Sequence, residues 1–220
     1  MIPLRDTQPS YSRPIVTATL IAVNLLVYLY QSLLDPYTYS NFIQIYGIVP
    51  DRFRTMDLFT SMFVHGGWLH VIFNMWFLWI YGDNVEDVLG HGKFLVFYLL
   101  CGVAAAALQV ALHPYSRVPI VGASGAIAGV MGGYLVKFPH SRILTLVPIL
   151  IFFTTFEIPA VLLLLYWFLL QILGGALSGT SYSGGGVAWF AHVGGFLAGI
   201  VLIKVMGTRE RFLQRADLRW

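Results

Sequence analysis

Two residues that could act as a nucleophile and a base stand in apolar segments of this sequence. Ser124 lies in Gly122-Ala123-Ser124-Gly125 at the start of one apolar run, and His192 lies inside another. Polar side chains at membrane depth are costly and usually mark a functional site. A histidine can take the proton of a serine hydroxyl and later return it to a leaving amine. The pair predicts serine-type peptide hydrolysis within a bilayer.

A second pair of polar residues could stabilise the oxyanion of such a reaction. His70 and Asn74 stand four positions apart and therefore share one face of a helix. Together with the backbone N–H of Ser124 they form a candidate set of oxyanion donors. The only acidic residue within reach of the spans' interior is Glu157, which we place on the opposite side of the membrane. We therefore expect a dyad without a carboxylate, in which packing alone holds the imidazole of His192.

Each of these residues also has a purely structural explanation. A single serine in a Gly- and Ala-rich span usually packs helices together, and a single asparagine more often bonds one helix to another. A single intramembrane histidine divides about evenly between the two roles, because its cost makes it rarer. All four side chains are predicted on the outer halves of their spans. This joint placement favours a site over four unrelated packing residues.

The elements that must position these residues are apolar spans. The chain has 220 residues, of which 58% are hydrophobic and 10% charged, against about 25% charged residues in soluble domains. It is therefore predicted to be an all-α integral membrane protein, with most runs close to the roughly 20 residues that cross a bilayer. The short second and fourth spans carry the polar residues. The six predicted spans are Ile15–Leu34, Trp68–Tyr81, Phe94–Leu112, Val121–Val136, Ile158–Ala176 and Val187–Met206.

The basic residues predict the orientation of these spans. With both termini in the cytoplasm, ten of the 13 Lys and Arg residues lie inside, as the positive-inside rule requires. The basic balance therefore reports topology and contact with anionic lipid headgroups, and it does not indicate a nucleic-acid partner. We expect one domain over residues 1–220, with short cytoplasmic tails at 1–14 and 207–220 and a retained first span. The ten inside residues are Arg5, Arg13, Lys93, Lys137, Arg142, Lys204, Arg209, Arg211, Arg215 and Arg219.

Small residues recur at every fourth position in the fourth and sixth spans. The fourth contains Gly125, Gly129 and Gly133, and the sixth contains Ala191, Gly195 and Gly199. Such ridges let two helix backbones approach closely. If the two ridges pack together, Ser124 and His192 come within hydrogen-bonding reach.

Two connecting segments allow alternative interpretations. The first outer loop, Asp35–Asp57, is rich in aromatic residues and could form short helices in the outer leaflet or act as a plain connector. The segment Arg142–Ala160 is interrupted by Pro148 and Pro159. It could lie at the cytoplasmic interface or cross the membrane, and we place Glu157 near the cytoplasmic interface as a cap of the helix that follows.

The remaining chemistry-bearing residues predict no cofactor or metal. Cys101 is the only cysteine, so an internal disulfide is impossible. His65 and His70 are five positions apart, which is wrong for a paired metal site on a helix. We interpret His65 as a structural residue that pins the end of the first loop by hydrogen bonds. His91, His113 and His140 are interpreted as interfacial loop residues.

With these residues in place, the sequence resembles the rhomboid family of intramembrane serine proteases. The resemblance covers residues 58–206 and rests on four stretches in the family's order: 65–74, 82–90, 122–125 and 191–195. It implies a six-helix bundle with a long first external loop, Ser124 as nucleophile and His192 as base. His70 and Asn74 would assist the oxyanion, while Gly122, Gly125, Gly195 and Glu86 would support the site. Glu86 and Gly90 match positions that organise the chain after the second span.

The resemblance also implies a class of substrates, and the sequence departs from the family's pattern at two places. Family members cleave single-span or multi-span membrane proteins at small residues, and Trp167 and Phe168 match the helix that gates lateral access. An aromatic residue often supports the catalytic histidine from one turn after the nucleophile, but Ala128 stands there. A Trp-Arg pair common in the first loop is missing, although Arg52 and Arg54 occupy the region.

Two other functions remain open on the sequence. A catalytically silent rhomboid-like binder of membrane proteins usually lacks the serine or the histidine. A small transporter tends to place its polar site near the midplane between broken helices. Short loops and the lack of a transit peptide predict a prokaryotic plasma membrane.

Overall fold

A computed structural model of the protein describes residues 1–149, 152–178 and 187–207. The tail beyond Gly207, with its four predicted inside arginines, lies outside the described residues. Within the described ranges, helices follow the predicted apolar runs, one strand lies near the amino terminus and two strands follow the sixth α-helix. The elements are β1 Ile2–Asp6, α1 Ile15–Ser32, α2 Pro36–Tyr46, a 3₁₀ helix Pro50–Arg52, α3 Asp57–Thr60, α4 Trp68–Leu89, α5 His91–Leu112, α6 Ser124–Lys137, β2 Arg142–Ile149, β3 Phe152–Pro159, α7 Ala160–Ser178 and α8 Trp189–Val205.

The protein is a mostly helical integral membrane protein. Among the described residues, three helices are long and apolar enough to cross a membrane: Ile15–Ser32, His91–Leu112 and Ala160–Leu177. The helix Trp189–Val205 is apolar but shorter, α6 has 14 residues, and α4 carries acidic residues in its last two turns. Each predicted span overlaps one of the helices α1 and α4 to α8.

Helix α4 is longer than predicted, because its polar end is stabilised by the amino-terminal segment. It was expected to end at Tyr81, yet it continues to Leu89 and stops at Gly90, whose φ of 82° favours glycine. Both carboxylate oxygens of the buried Glu86 accept hydrogen bonds from the start of α1, at 2.9 Å from the Val16 nitrogen and 2.8 Å from the Thr17 nitrogen. Glu86 lies within α4 and thus caps the start of α1, where a carboxylate complements the helix dipole.

The segment after α6 is a β-hairpin, so the prediction of an all-α fold is wrong for this region. Strand β2 pairs antiparallel with β3 and with β1, giving the order β1-β2-β3. Its β-branched and aromatic residues suit a pleated sheet. Glu157 lies in β3 opposite Leu144, and α7 begins at Ala160. Glu157 therefore does not cap α7 as predicted.

The segment predicted as the first outer loop forms short helices rather than an irregular connector. Asp35 caps the start of α2, and its side chain accepts hydrogen bonds from the Tyr37 and Thr38 backbone nitrogens. The segment is tied to the chain before α6 by a bridge between Ile48 and Ile120, with N···O distances of 2.9 and 2.8 Å. The loop is thereby fixed beside the start of α6.

The helices place the candidate site at one end of the bundle and the sheet at the other. At one end the backbone nitrogen of Gly122, before α6, donates to the Ser61 carbonyl at 2.9 Å. At the other end the hydroxyl of Tyr134, near the end of α6, donates to the Asp6 carboxylate at 2.6 Å. Between the ends, fully buried side chains of α4, α5, α6 and α8 form the core. They include Leu78, Tyr81, Phe97, Tyr98, Ile127, Met131 and Phe196.

Candidate active site

The hydroxyl of Ser124 and the imidazole of His192 form a hydrogen bond between the starts of two helices. Ser124 is the first residue of α6, and His192 lies in the first turn of α8. The Nε2 atom of His192 is 2.8 Å from the Oγ atom of Ser124. This distance allows the imidazole to accept the hydroxyl proton directly.

The two glycine ridges set that distance. A Cβ atom at Gly195 would overlap the carbonyl oxygen of Gly125, and one at Gly199 would overlap the carbonyl oxygen of Gly129. Backbone therefore lies against backbone at this crossing, as the spacing of small residues predicts. The close approach brings the starts of α6 and α8 within side-chain reach of each other.

Gly122 gives the chain the turn that leads into α6. Its φ is 118°, a conformation that side chains rarely adopt. A Cβ atom there would lie 2.7 Å from Nε2 of His70 and 3.5 Å from Nδ2 of Asn74. The glycine thus brings the backbone before Ser124 directly against the two polar side chains of α4.

His70 and Asn74 present hydrogen-bond donors toward this turn. The Gly66 backbone nitrogen lies 3.4 Å from Nδ1 of His70 and donates to it. A neutral ring that accepts at Nδ1 carries its proton on Nε2, so Nε2 is the donor that faces Gly122. The Nδ2 atom of Asn74 is buried and meets no acceptor among the described residues. Such a donor is costly unless it serves an occupant of the site.

The ring of His192 is held by α7, and sequence reasoning missed the residue responsible. The Oε1 atom of the buried Gln171 lies 2.7 Å from Nδ1 of His192. The indole of Trp167, one turn earlier, packs on the same ring with a centroid separation of 5.8 Å. The expectation that packing alone steadies His192 is therefore wrong. A lone amide inside an apolar run was the available signal, since such residues are expensive in a membrane.

A second buried amide fixes the backbone at the start of α8. The Oε1 atom of Gln109 on α5 accepts from the Ala191 backbone nitrogen at 3.0 Å. The same nitrogen also donates to the Ala188 carbonyl at 3.1 Å, so the bond to Gln109 adds a second acceptor and links α5 to the start of α8. Gln109 anchors the turn that carries His192.

The paired side chains open into a cavity of about 1150 Å³. Its walls come from the start of α4, the chain before α6, the middle of α5 and the start of α8. Ser124, His192, His70 and Asn74 all line it. The four residues singled out in the sequence therefore share one space.

The other histidines do not line this cavity. The backbone N–H and carbonyl of His65 bond to the side chain of Gln31 at 3.2 and 2.6 Å, which pins the end of the first loop. Burial lowers the pKa of His65 to about 3, so its ring is neutral. His91 is the first residue of α5 and does not lie in a loop. Its Nδ1 atom is 2.5 Å from Oε1 of Glu86. Among the described residues no group of three His, Cys, Asp or Glu side chains could hold a metal.

Fold and site together define a helical membrane protein with a serine and a histidine paired at one end of its bundle. Residues 52–209 match the Rhomboid domain family. The chain belongs to the rhomboid family.

Three relatives illustrate the similarity. Rhomboid protein 1, mitochondrial, of Saccharomyces cerevisiae is 29% identical over 192 residues, covering 81% of this chain and 51% of the yeast protein. Rhomboid-like protein 11, chloroplastic, of Arabidopsis thaliana is 30% identical over 202 residues, covering 85% and 64%. Rhomboid protease GluP of Bacillus subtilis is 40% identical over 78 residues, covering 36% and 15%. The chain thus spans about half the length of the first of these relatives.

Proposed function

We propose that this protein is an intramembrane serine endopeptidase that cleaves membrane-protein substrates through an acyl-enzyme. The observation that carries the proposal is the 2.8 Å hydrogen bond between Oγ of Ser124 and Nε2 of His192. Membership of the rhomboid family supports it. A serine needs such a base to become a nucleophile, and no other pairing of a serine with a histidine ring lines the cavity among the described residues.

In acylation, Oγ of Ser124 attacks the scissile carbonyl carbon while its proton passes to Nε2 of His192. The tetrahedral intermediate then collapses, the C–N bond breaks and Nε2 returns the proton to the leaving amine. In deacylation, water in the cavity attacks the ester, giving its proton to Nε2 and releasing the carboxyl product. His192 returns the proton to Ser124.

The negative charge of each intermediate needs donors aimed at its oxygen. Nε2–H of His70, Nδ2–H of Asn74 and the backbone N–H of Ser124 are proposed for this role. Support comes from the position of both α4 side chains beside the turn at Gly122. Support also comes from the buried Asn74 amide, which has no acceptor among the described residues. Loss of one such donor costs about 3–4 kcal/mol of transition-state stabilisation.

The membrane topology proposed is six transmembrane helices, α1 and α4 to α8, with both termini in the cytoplasm. α4 and α6 are short of apolar length because one carries the polar end that caps α1 and the other opens on the cavity. The site would then lie below the outer surface, with α2 and α3 at the outer leaflet. A prokaryotic plasma membrane is proposed from the sequence, whereas two of the relatives are named as mitochondrial and chloroplastic proteins.

The test is cleavage of a single-span reporter substrate by the purified protein in proteoliposomes. Wild type should cleave it, while Ser124→Ala and His192→Ala should each abolish cleavage and keep the wild-type unfolding temperature. Cleavage at the wild-type rate by either folded variant would exclude the dyad. A silent binder would instead retain the reporter without cutting it, and the wild type would be as inactive as Ser124→Ala.

A further inference from the structure

Gln171 is a single buried amide in the otherwise apolar helix α7. Its Oε1 atom lies 2.7 Å from Nδ1 of His192. Its Nε2 atom donates to the Trp167 carbonyl, one turn earlier, at 3.2 Å. That second bond sets which end of the amide faces the imidazole, because the nitrogen is already used as a donor within α7. The oxygen is therefore the atom turned toward His192.

This contact selects one tautomer of the imidazole. An amide oxygen can only accept, so Nδ1 of His192 must carry the ring proton. Nε2 is then left with its lone pair directed at Oγ of Ser124, 2.8 Å away. In the other tautomer Nε2–H would donate to the hydroxyl and could not remove its proton. His192 can therefore act as the base only in its Nδ1–H tautomer.

We propose that Gln171 is a positioning residue that holds His192 in its Nδ1–H tautomer, facing Ser124. The ability of His192 to act as a base then depends on the position of α7 against α8. The inference rests on the proposed peptidase function. Gln171 exchanges no proton in the reaction. The proton moves from Oγ to Nε2 and on to the leaving amine, while Nδ1–H stays bonded to the amide oxygen throughout. The amide dipole thereby stabilises the imidazolium without adding a charge.

The dependence on α7 follows from which helices carry the groups. Ser124 and His192 belong to α6 and α8, whose backbones touch, whereas Gln171 belongs to α7. Displacement of α7 would remove the acceptor from His192 and leave the 2.8 Å pair in place. The Trp167 indole on the imidazole, 5.8 Å between centroids, would leave with it. The serine is then paired with an unoriented ring.

The first test replaces the amide by a side chain of similar shape. Gln171→Met should lower kcat about tenfold to a hundredfold, the factor carried by one hydrogen bond to a charged group, and leave KM unchanged. Gln171→Glu retains an acceptor and should restore kcat, with the acid limb of its pH–rate profile moved to higher pH. His70, the other titratable ring that acts on His192, is the same in all variants. Leu170→Met, an exposed neighbour on α7, is the matched control and should behave as wild type.

The second test moves α7 itself. A Cβ atom at Gly174, three residues after Gln171, would lie 2.6 Å from the Trp189 ring of α8. Gly174→Leu should therefore wedge α7 away from α8 and slow fluorophosphonate labelling of Ser124. Combined with Gln171→Met it should cause little further loss, because both changes remove one contact.

The outcomes separate this inference from the proposed function. If wild type neither cleaves nor labels, the peptidase proposal fails. If wild type labels, Ser124→Ala does not, and Gln171→Met keeps the wild-type kcat, only the role of Gln171 is refuted. If Gln171→Met does not fold, Gln171→Glu provides the test. An acid limb of its pH–rate profile at the wild-type position would contradict the contact between residue 171 and His192. If Gly174→Leu slows labelling by the same factor in the wild-type and in the Gln171→Met protein, the dependence on α7 is refuted.

Discussion

The crossing of α6 and α8 offers a direct way to separate the serine from the histidine without altering either residue. In Gly195→Ala the added methyl group would fall on the carbonyl oxygen of Gly125, which is backbone and cannot rotate away. Carbon and oxygen normally stay at least about 3.3 Å apart. The two helices must therefore separate by about 1 Å or more at this point.

That separation is large compared with the tolerance of the site. Added to the 2.8 Å between Nε2 of His192 and Oγ of Ser124, it gives about 3.8 Å, which is beyond a hydrogen bond. A misplacement of about 1 Å typically costs about a hundredfold in rate. Overpacking of this kind costs about 1–3 kcal/mol of stability. Gly195→Ala should therefore lose about a hundredfold in kcat and unfold at a lower temperature.

The assay is cleavage of a membrane-embedded reporter together with thermal unfolding in detergent. Gly92→Ala is the matched control, because Gly92 is also helical but a Cβ atom there meets nothing within 4 Å. Gly92 is the second residue of α5, outside the helix interior in which alanine gains about 1 kcal/mol over glycine, so the control should be at least as stable as wild type and fully active. Wild-type kcat and stability in Gly195→Ala would show that the ridges do not set the distance between serine and histidine.

Three other changes test separate parts of the structure. His70→Ala and Asn74→Ala should each lower kcat about a hundredfold to a thousandfold without changing the unfolding temperature, and wild-type turnover in both would refute the oxyanion proposal. Burial raises the pKa of Asp6 from 3.8 to about 6. The contribution of protonated Asp6 to the stability of the folded protein is therefore complete below pH 3.8 and is lost as the pH rises through 6. Asp6→Asn should accordingly be more stable than wild type at pH 7.5, by about 1–2 kcal/mol after screening, and equal at pH 3.5 in thermal unfolding; a constant difference would contradict this. Glu86→Ala should lower the unfolding free energy by about 2–3 kcal/mol, because a buried N–H group (Thr17) and a partly buried one (Val16) lose their acceptor, and an unchanged denaturation curve would rule that out.

The residues that meet in the cavity were predictable because membrane depth makes polar groups conspicuous. Ser124, His192, His70 and Asn74 interrupt apolar runs, and the small-residue spacing indicated which two helices touch. Their catalytic roles remain proposals, whereas their proximity is a feature of the structure. The helices α1 and α5 to α8 were predictable for the same reason, since an apolar run of this length favours a helix.

Long-range polar contacts were not predictable from one sequence. Gln171 on α7 bonds to His192 on α8, and no local pattern in α7 indicates this partner. Helix α4 looked as if it ended before Asn84, because polar residues usually leave a membrane span. The amino-terminal segment satisfies them instead: Nδ2 of Asn84 donates to the Gln8 carbonyl at 3.1 Å, and the carboxylate of Asp87 accepts from the Tyr11 nitrogen at 2.9 Å.

The hairpin after α6 was ambiguous because its apolar content resembles that of a span. Pro148 and Pro159 suggested interruptions, and Glu157 suggested a helix cap. Pairing with β1, which lies more than a hundred residues earlier in the chain, decides in favour of strands. A local pattern cannot reveal that partner.

The most direct measurement of the central claim is the site of a covalent fluorophosphonate adduct, mapped by mass spectrometry. The dyad predicts an adduct on Ser124 in the wild-type protein and none in folded His192→Ala, which keeps the serine but lacks its base. An adduct on another residue, or an equal yield on Ser124 without His192, would contradict it.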